Sequence, residues 1–98
     1  MTIKKITDGT KLTAEIEGRI DTTTAPDLED DIKSSLDGVT ELVLDFGGVK
    51  YISSAGLRVL LSLHKQTLEK DGMKLINVSE EVMEIFEVTG FSDILTVE

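Results

Sequence analysis

The sequence predicts a single α/β domain with a mixed sheet of four or five strands and three helices. Three observations predict this class. Segments with the two-residue period of a strand alternate with segments that have the 3.6-residue period of a helix. Strand–helix–strand order places parallel strands in the centre of a sheet, with right-handed crossovers. A turn signal at Asp8-Gly9 joins the first two strands, which adds an antiparallel hairpin at one edge.

The N-terminal segments form the predicted hairpin. Thr2 to Thr7 is the first strand and Lys11 to Glu17 is the second. In the second strand Leu12, Ala14 and Ile16 alternate with polar residues. This alternation is typical of a strand with one buried face.

The first helix is predicted to begin at Thr24-Ala25-Pro26-Asp27 and to end at Gly38. Thr24 is a good N-cap residue, and proline in the first turn lacks only an N–H that the helix does not use. The apolar residues that follow share one helix face, which we expect to pack on the sheet: Ala25, Leu28, Ile32 and Leu36.

The second half of the chain continues the alternation. The apolar run from Glu41 to Phe46 predicts a central strand, and Gly47 to Ile52 is predicted to be a loop. Two further helices and a strand are predicted, followed by extended or irregular chain with room for a short strand. Their bounds are Ser54 to Lys70 (helix), Met73 to Val78 (strand), Glu80 to Val88 (helix, capped by Ser79) and Phe91 to Val97.

The composition excludes several kinds of protein. The 98 residues contain no cysteine, which excludes disulfide scaffolds, cysteine-based zinc sites and cysteine nucleophiles. A single histidine, His64, excludes a histidine-rich metal site. No apolar run approaches the roughly 20 residues of a membrane span, and the N-terminus lacks the apolar core of a signal peptide. We therefore expect a cytoplasmic protein with no cofactor and no metal.

The net charge of −9 limits the choice of partners. Phosphate backbones and anionic membrane surfaces would both be repelled, so neither a nucleic acid nor a membrane is expected as a partner. The charge is explained most simply by solubility, and the alternative is complementarity to a basic face of another protein.

The segment from Asp45 to Arg58 is the candidate for function. It joins the carboxyl end of a central strand to a helix N-terminus, where functional groups gather in open α/β sheets. Ser53 and Ser54 stand where free helix N–H groups would meet a phosphate, and Arg58 is one turn further along. The residues alone also allow a second interpretation, in which the serines are ordinary helix caps and Gly56 permits close packing.

Two aspartates at strand ends, Asp21 and Asp45, suggest a further alternative. Two carboxylates near one loop could hold Mg²⁺, as in a receiver-like domain that forms an aspartyl phosphate. The sequence lacks the acidic pair and the late lysine that such a site needs, so capping and loop hydrogen bonds are the favoured roles. A hydrolase is least supported, because no pair of nucleophile and base is visible.

Three motifs in order carry a resemblance over nearly the whole chain, residues 1–98. With them the chain resembles a STAS domain of the anti-sigma factor antagonist family, which implies a single STAS-like fold. The motifs are Gly18-Arg19-Ile20-Asp21, Leu44-Asp45-Phe46 and Tyr51-Ile52-Ser53-Ser54-Ala55-Gly56-Leu57-Arg58-Val59-Leu60-Leu61.

The resemblance implies a bacterial partner-switching regulator with no catalysis of its own. In that family the unphosphorylated antagonist binds an anti-sigma factor that is also a serine kinase, and this frees the sigma factor. The kinase phosphorylates a serine at the start of the second helix, and a PP2C-type phosphatase reverses the reaction. The implied phosphorylation site is Ser54, then Ser53, and the implied partner-binding residues are Asp21, Thr22, Thr23, Tyr51, Ile52, Ala55, Gly56 and Arg58.

The sequence departs from the family pattern in two places. The accepting serine usually directly precedes the glycine, whereas Ala55 stands there in this chain. The variant Ser-Ser-Ala-Gly-Leu-Arg is itself common in the family, so Ser54 remains the first expectation. Many members also carry a helix after the last strand, so this chain either lacks that helix or is truncated. The alternative function is a STAS interaction or scaffold module that is independent of phosphorylation.

Overall fold

The computed structural model describes residues 1–98 and contains five strands, three α-helices and one short 3₁₀ helix. The strands lie in the order β1-β2-β3-β4-β5; β1 is antiparallel to β2 and the other neighbours are parallel. The predicted mixed sheet with an N-terminal hairpin is thus confirmed. The elements are β1 (Thr2–Asp8), β2 (Lys11–Ile20), α1 (Ala25–Lys33), β3 (Glu41–Ile52), α2 (Ser54–Thr67), β4 (Gly72–Ile76), α3 (Glu80–Thr89), the 3₁₀ turn (Phe91–Asp93) and β5 (Thr96–Val97).

One hydrophobic core lies between the sheet and the helices. Alternate residues of the central strands, such as Leu42 and Leu44, are fully buried and join a single cluster with buried residues of all three helices. Within this cluster the rings of Phe46 and Phe86 pack with their centroids 6.5 Å apart. Val43, between Leu42 and Leu44, is also buried but lies outside the cluster, as strand alternation requires.

The segment from Gly47 to Ile52, predicted to be a loop, is instead the second half of β3. Its pairing with β2 shifts register twice, between Glu15 and Glu17 and between Gly18 and Arg19. Each shift is a β-bulge that places an extra β3 residue opposite β2. Residues that point into the core then recur every third position instead of every second. The two-residue alternation that identifies a strand is therefore absent from this part of the sequence. The inward residues of this half are Phe46, Val49 and Ile52.

Beyond Asp45, β3 leaves β4 and pairs with β2 alone. The resulting two-stranded ribbon consists of Glu17–Ile20 and Gly48–Ile52, and we call it the site ribbon. Its strands approach closely at the first bulge, where a Cβ on Gly48 would lie 2.5 Å from Glu17 Cγ and 3.0 Å from the Ile16 carbonyl oxygen. Glycine is therefore needed here to let the backbones meet.

Two helices end earlier than predicted: α1 ends at Lys33 and not at Gly38, and α2 ends at Thr67 and not at Lys70. After α1 the N–H groups of Ser35 and Leu36 donate to carbonyls three residues back, at 3.0 and 3.3 Å. This tighter spacing satisfies terminal carbonyls without continuing the α-helix. None of the helices is long and apolar enough to cross a lipid bilayer.

Candidate functional site

Ser53 is the N-cap of α2 and is held by hydrogen bonds of its backbone and its side chain. Its backbone N–H donates to the carbonyl oxygen of Ile20 at 2.8 Å, which ties the start of the helix to the end of β2. Its side-chain oxygen accepts from the N–H of Gly56 at 3.3 Å. The half-buried Ser53 hydroxyl therefore has a structural role, as the capping interpretation predicts.

Ser54 is the first residue of α2, and its environment differs from that of Ser53. The side chain is exposed, and its hydroxyl makes no hydrogen bond to the protein. The first turn of α2 contains no acidic residue, so no carboxylate offsets the positive end of the helix dipole there. The structure thus presents a free hydroxyl at a place where negative charge is favoured.

Two of the predicted partner-binding residues, Ile52 and Gly56, are buried inside the domain. Ile52 is only 2% exposed, and Gly56 is buried against it. A Cβ on Gly56 would lie 2.6 Å from both Ile20 Cγ2 and Ile52 Cγ1. These residues set how closely α2 approaches the site ribbon.

Thr24 is the N-cap residue of α1, as predicted, but its side chain makes no capping bond, and the Asp21 carboxylate instead caps the turn that leads into the helix. One oxygen of the Asp21 carboxylate accepts from the N–H groups of Thr23 and Thr24 at 3.0 and 3.1 Å. The Thr24 hydroxyl accepts from the Asp21 N–H at 2.9 Å, donates to the carbonyl oxygen of Arg19 at 2.8 Å and lies 3.3 Å from the same Asp21 carboxylate oxygen. Asp21 therefore organises the turn that presents Thr22 and Thr23, which are both exposed.

The carboxylate of Asp21 is held in its ionised form by this turn. The hydrogen bond from the Thr24 backbone, aided by that from Thr23 and by the Arg19 guanidinium 3.8 Å away, keeps the pKa of Asp21 below its ordinary value of 3.8. A lowered pKa in the folded state stabilises the fold above the unfolded-state pKa, and this contribution is lost as pH falls through the folded-state pKa.

We expect Asp21→Asn to lower the free energy of unfolding near neutral pH and to have a smaller effect in acid. The amide lacks the charge that strengthens the bonds to the turn, whereas the wild-type carboxyl loses the same charge when protonated. Urea unfolding of both proteins from neutral pH down to below 3.8 measures this difference. The exposed Asp30→Asn is the matched control, and a pH-independent difference for Asp21→Asn would contradict the argument.

The site ribbon carries an aromatic–cation pair that the sequence analysis missed. The guanidinium of Arg19 lies 4.3 Å from the centre of the Tyr51 ring, and Tyr51 is 37% exposed. Register places Arg19 directly beside Tyr51 on the neighbouring strand. Arg19 stands in the quoted motif Gly18-Arg19-Ile20-Asp21, but its contact depends on the second bulge, which the sequence pattern did not reveal.

A shallow groove runs between the N-terminal halves of α1 and α2, and we call it the α1–α2 groove. Its volume is about 300 Å³. Ser54 precedes one of its walls, and exposed Arg58 lies on that wall without a salt bridge or a side-chain hydrogen bond. The groove is lined by Thr22, Ala25, Pro26, Glu29, Ala55, Arg58 and Val59.

Asp45 lies within β3, at the point where that strand leaves β4. One of its carboxylate oxygens accepts from the N–H of Gly47 at 2.9 Å and from the Asn77 side-chain amide at 3.1 Å. Asn77 adopts a left-handed backbone conformation at the end of β4, with φ of 57°. These contacts give the Asp45 carboxylate a structural hydrogen-bonding role.

The five-stranded mixed sheet, the three helices and the exposed serine at the start of α2 define a STAS-type domain. A family model for the STAS domain matches residues 2–98, and the chain therefore belongs to the STAS domain family.

Relatives and solved structures agree with this assignment. The chain is 39% identical over 99 aligned positions to BtrV, a candidate anti-sigma factor antagonist of Bordetella bronchiseptica, covering 99% of this chain and 84% of the relative. It is 31% identical to an anti-sigma-B factor antagonist of Bacillus subtilis, covering 84% of this chain and 76% of the relative.

Two solved structures share the fold at lower sequence identity. An anti-sigma factor antagonist from Mycobacterium paratuberculosis superposes with a TM-score of 0.88 at 23% identity, covering 98% of this chain and 83% of that one. The phosphorylated form of the Bacillus cell fate determinant SpoIIAA superposes with a TM-score of 0.74 at 15% identity, covering 99% of this chain and 91% of that one.

Proposed function

We propose that this chain is an anti-sigma factor antagonist that is switched by phosphorylation of Ser54. The observation that carries the proposal is the exposed, unbonded hydroxyl of Ser54 at the start of α2, next to Ser53, whose hydroxyl is used as a cap. The names of the relatives support the antagonist role, and SpoIIAA shows that this fold exists in a phosphorylated form.

The partner-binding surface would consist of the exposed residues around Ser54. The site ribbon offers the Tyr51 ring, and the turn before α1 offers Thr22 and Thr23. On α2, Ala55 and Arg58 line the α1–α2 groove. Asp21 acts indirectly, by holding the threonine turn in place. Without phosphate this surface binds an anti-sigma factor, and the bound anti-sigma factor then releases its sigma factor.

The chemistry of the switch takes place on partner proteins, and this chain is the substrate. The anti-sigma factor, acting as a serine kinase, transfers the γ-phosphoryl group of ATP to Ser54 Oγ, with ADP as leaving group and loss of the hydroxyl proton. A PP2C-type phosphatase hydrolyses the ester and restores the hydroxyl. We place this cycle in the cytoplasm, and it requires no catalytic residue, metal or cofactor of this chain.

The test is to incubate the chain with ATP and the anti-sigma factor kinase of its own organism and to map the product by mass spectrometry. We expect one phosphoryl group on Ser54, none in Ser54→Ala, and full labelling of Ser62→Ala, a serine further along α2. Labelling of Ser53 alone would show that the proposal names the wrong serine. No labelling under conditions that label a control antagonist would favour a STAS module that binds independently of phosphorylation.

A further inference from the structure

Arg58 is an exposed cation that makes no salt bridge and no side-chain hydrogen bond, whereas two charged residues nearby are engaged. Across the α1–α2 groove Glu29 is bonded to Lys33, 2.9 Å away and one turn along α1, which lowers the pKa of Glu29 and keeps it ionised. At the site ribbon Arg19 is held between the carboxylate of Asp21 and the ring of Tyr51. Lys50 of the site ribbon is also exposed and without a salt bridge, but Arg58 is the unpaired cation that lies one turn from Ser54 on the same helix.

The helix geometry directs this free side chain toward Ser54. Residues four apart lie on the same face of an α-helix, with Cβ atoms about 5–6 Å apart. Each Cα–Cβ bond tilts toward the helix N-terminus, so the side chain of Arg58 leans back over the turn that begins at Ser54. Both side chains are exposed, and no other side chain of the chain hydrogen-bonds to either of them.

We propose that Arg58 is the counterion of phosphorylated Ser54, so that phosphorylation also withdraws this guanidinium from the partner-binding surface. The inference rests on the proposed phosphorylation of Ser54. A guanidinium binds phosphate oxygens through two parallel N–H donors, and it cannot bind a carboxylate of a partner with the same donors at the same time. The switch then has two parts, an added dianion and a lost cation.

The first experiment needs neither the kinase nor the partner. Phosphoserine is incorporated at position 54 during translation, and its second pKa is measured by ³¹P NMR. We expect this pKa to be about 0.2 to 0.4 unit lower in the wild type than in Arg58→Gln, because a nearby cation favours the dianion. Arg58→Lys should retain part of the shift, and about 1 M salt should reduce it.

Lys65→Gln is the matched control, because it removes one exposed cation from the other end of the same helix. It should leave the phosphate pKa unchanged. Equal pKa values in the wild type and Arg58→Gln would overturn the assignment of the counterion. Circular dichroism should show unaltered folding for these exposed substitutions.

The second experiment measures binding of the unphosphorylated proteins to the anti-sigma factor. We expect Arg58→Gln to bind about tenfold more weakly and Lys65→Gln to bind like the wild type. Unchanged binding by Arg58→Gln would overturn the second part of the proposal. If the wild type binds no anti-sigma factor, the proposed function fails, whereas the ³¹P result still decides whether Arg58 is the counterion.

Discussion

Replacement of Gly56 by valine is expected to destabilise the domain by about 3 kcal/mol. The first carbon of any side chain at this position would lie 2.6 Å from both Ile20 Cγ2 and Ile52 Cγ1. Both isoleucines are buried in the core, so neither can move away without disturbing further contacts. In a domain of this size the melting temperature should fall by roughly 12 to 24 °C.

Thermal unfolding followed by circular dichroism measures this effect, with Gly47→Ala as the control. Gly47 is an exposed glycine of the same segment, and a Cβ there would meet only Asp45 Oδ1 at 3.2 Å and Asn77 Cβ at 3.7 Å. The Gly47→Ala substitution should lower the melting temperature much less than Gly56→Val does. A Gly56→Val protein as stable as the control would mean that α2 can shift away from the site ribbon, and the packing argument would be wrong.

Phosphorylation of Ser54 is expected to weaken binding to the anti-sigma factor about 100-fold, which corresponds to about 2.7 kcal/mol. The phosphate adds a charge of about −1.5 to −2 at neutral pH. At a docked surface this charge would be stripped of water, and its volume would separate the two proteins. Ser54→Glu, with a single and differently shaped charge, should reproduce only part of the loss.

Isothermal titration calorimetry with the phosphorylated protein, Ser54→Glu and Ser34→Glu measures this difference. Ser34 is an exposed serine at the end of α1, so its replacement adds the same charge far along the chain from the start of α2. Ser34→Glu should bind like the wild type. If both glutamate variants bound equally weakly, net charge would explain the effect, and the local mechanism would be refuted.

Much of the fold follows from local patterns in the sequence. The hairpin, the three helices and the parallel strands each have a clear period, and some ends are clearly signalled, as by the Asp8-Gly9 turn and the Ser79 cap of α3. The ends of α1 and α2 are not, and both helices stop before the predicted residue. The second half of β3 did not follow, because its bulges replace the two-residue period with a three-residue one. Bulges depend on the neighbouring strand, and a single segment gives no sign of them.

Some features of the candidate site could be predicted from the sequence, and others could not. The positions of Ser53, Ser54 and Arg58 on α2 follow from helix spacing, and the structure places them as the spacing indicates. The capping role of Asp21 and the stacking of Arg19 on Tyr51 depend on turn geometry and strand register. Local propensity predicts neither contact, because the first depends on the conformation of the turn and the second joins residues on two different strands.

The two bulges of the site ribbon also limit how this domain can change in length. Loss of one residue between Gly47 and Tyr51 would remove a bulge and move the following side chains to the opposite face, which would turn Ile52 outward. In the connection after α1, Asp37 and Gly38 are exposed and have no such register to preserve, whereas Val39 is anchored in the core. Insertions and deletions should therefore be tolerated after α1 and excluded from the ribbon.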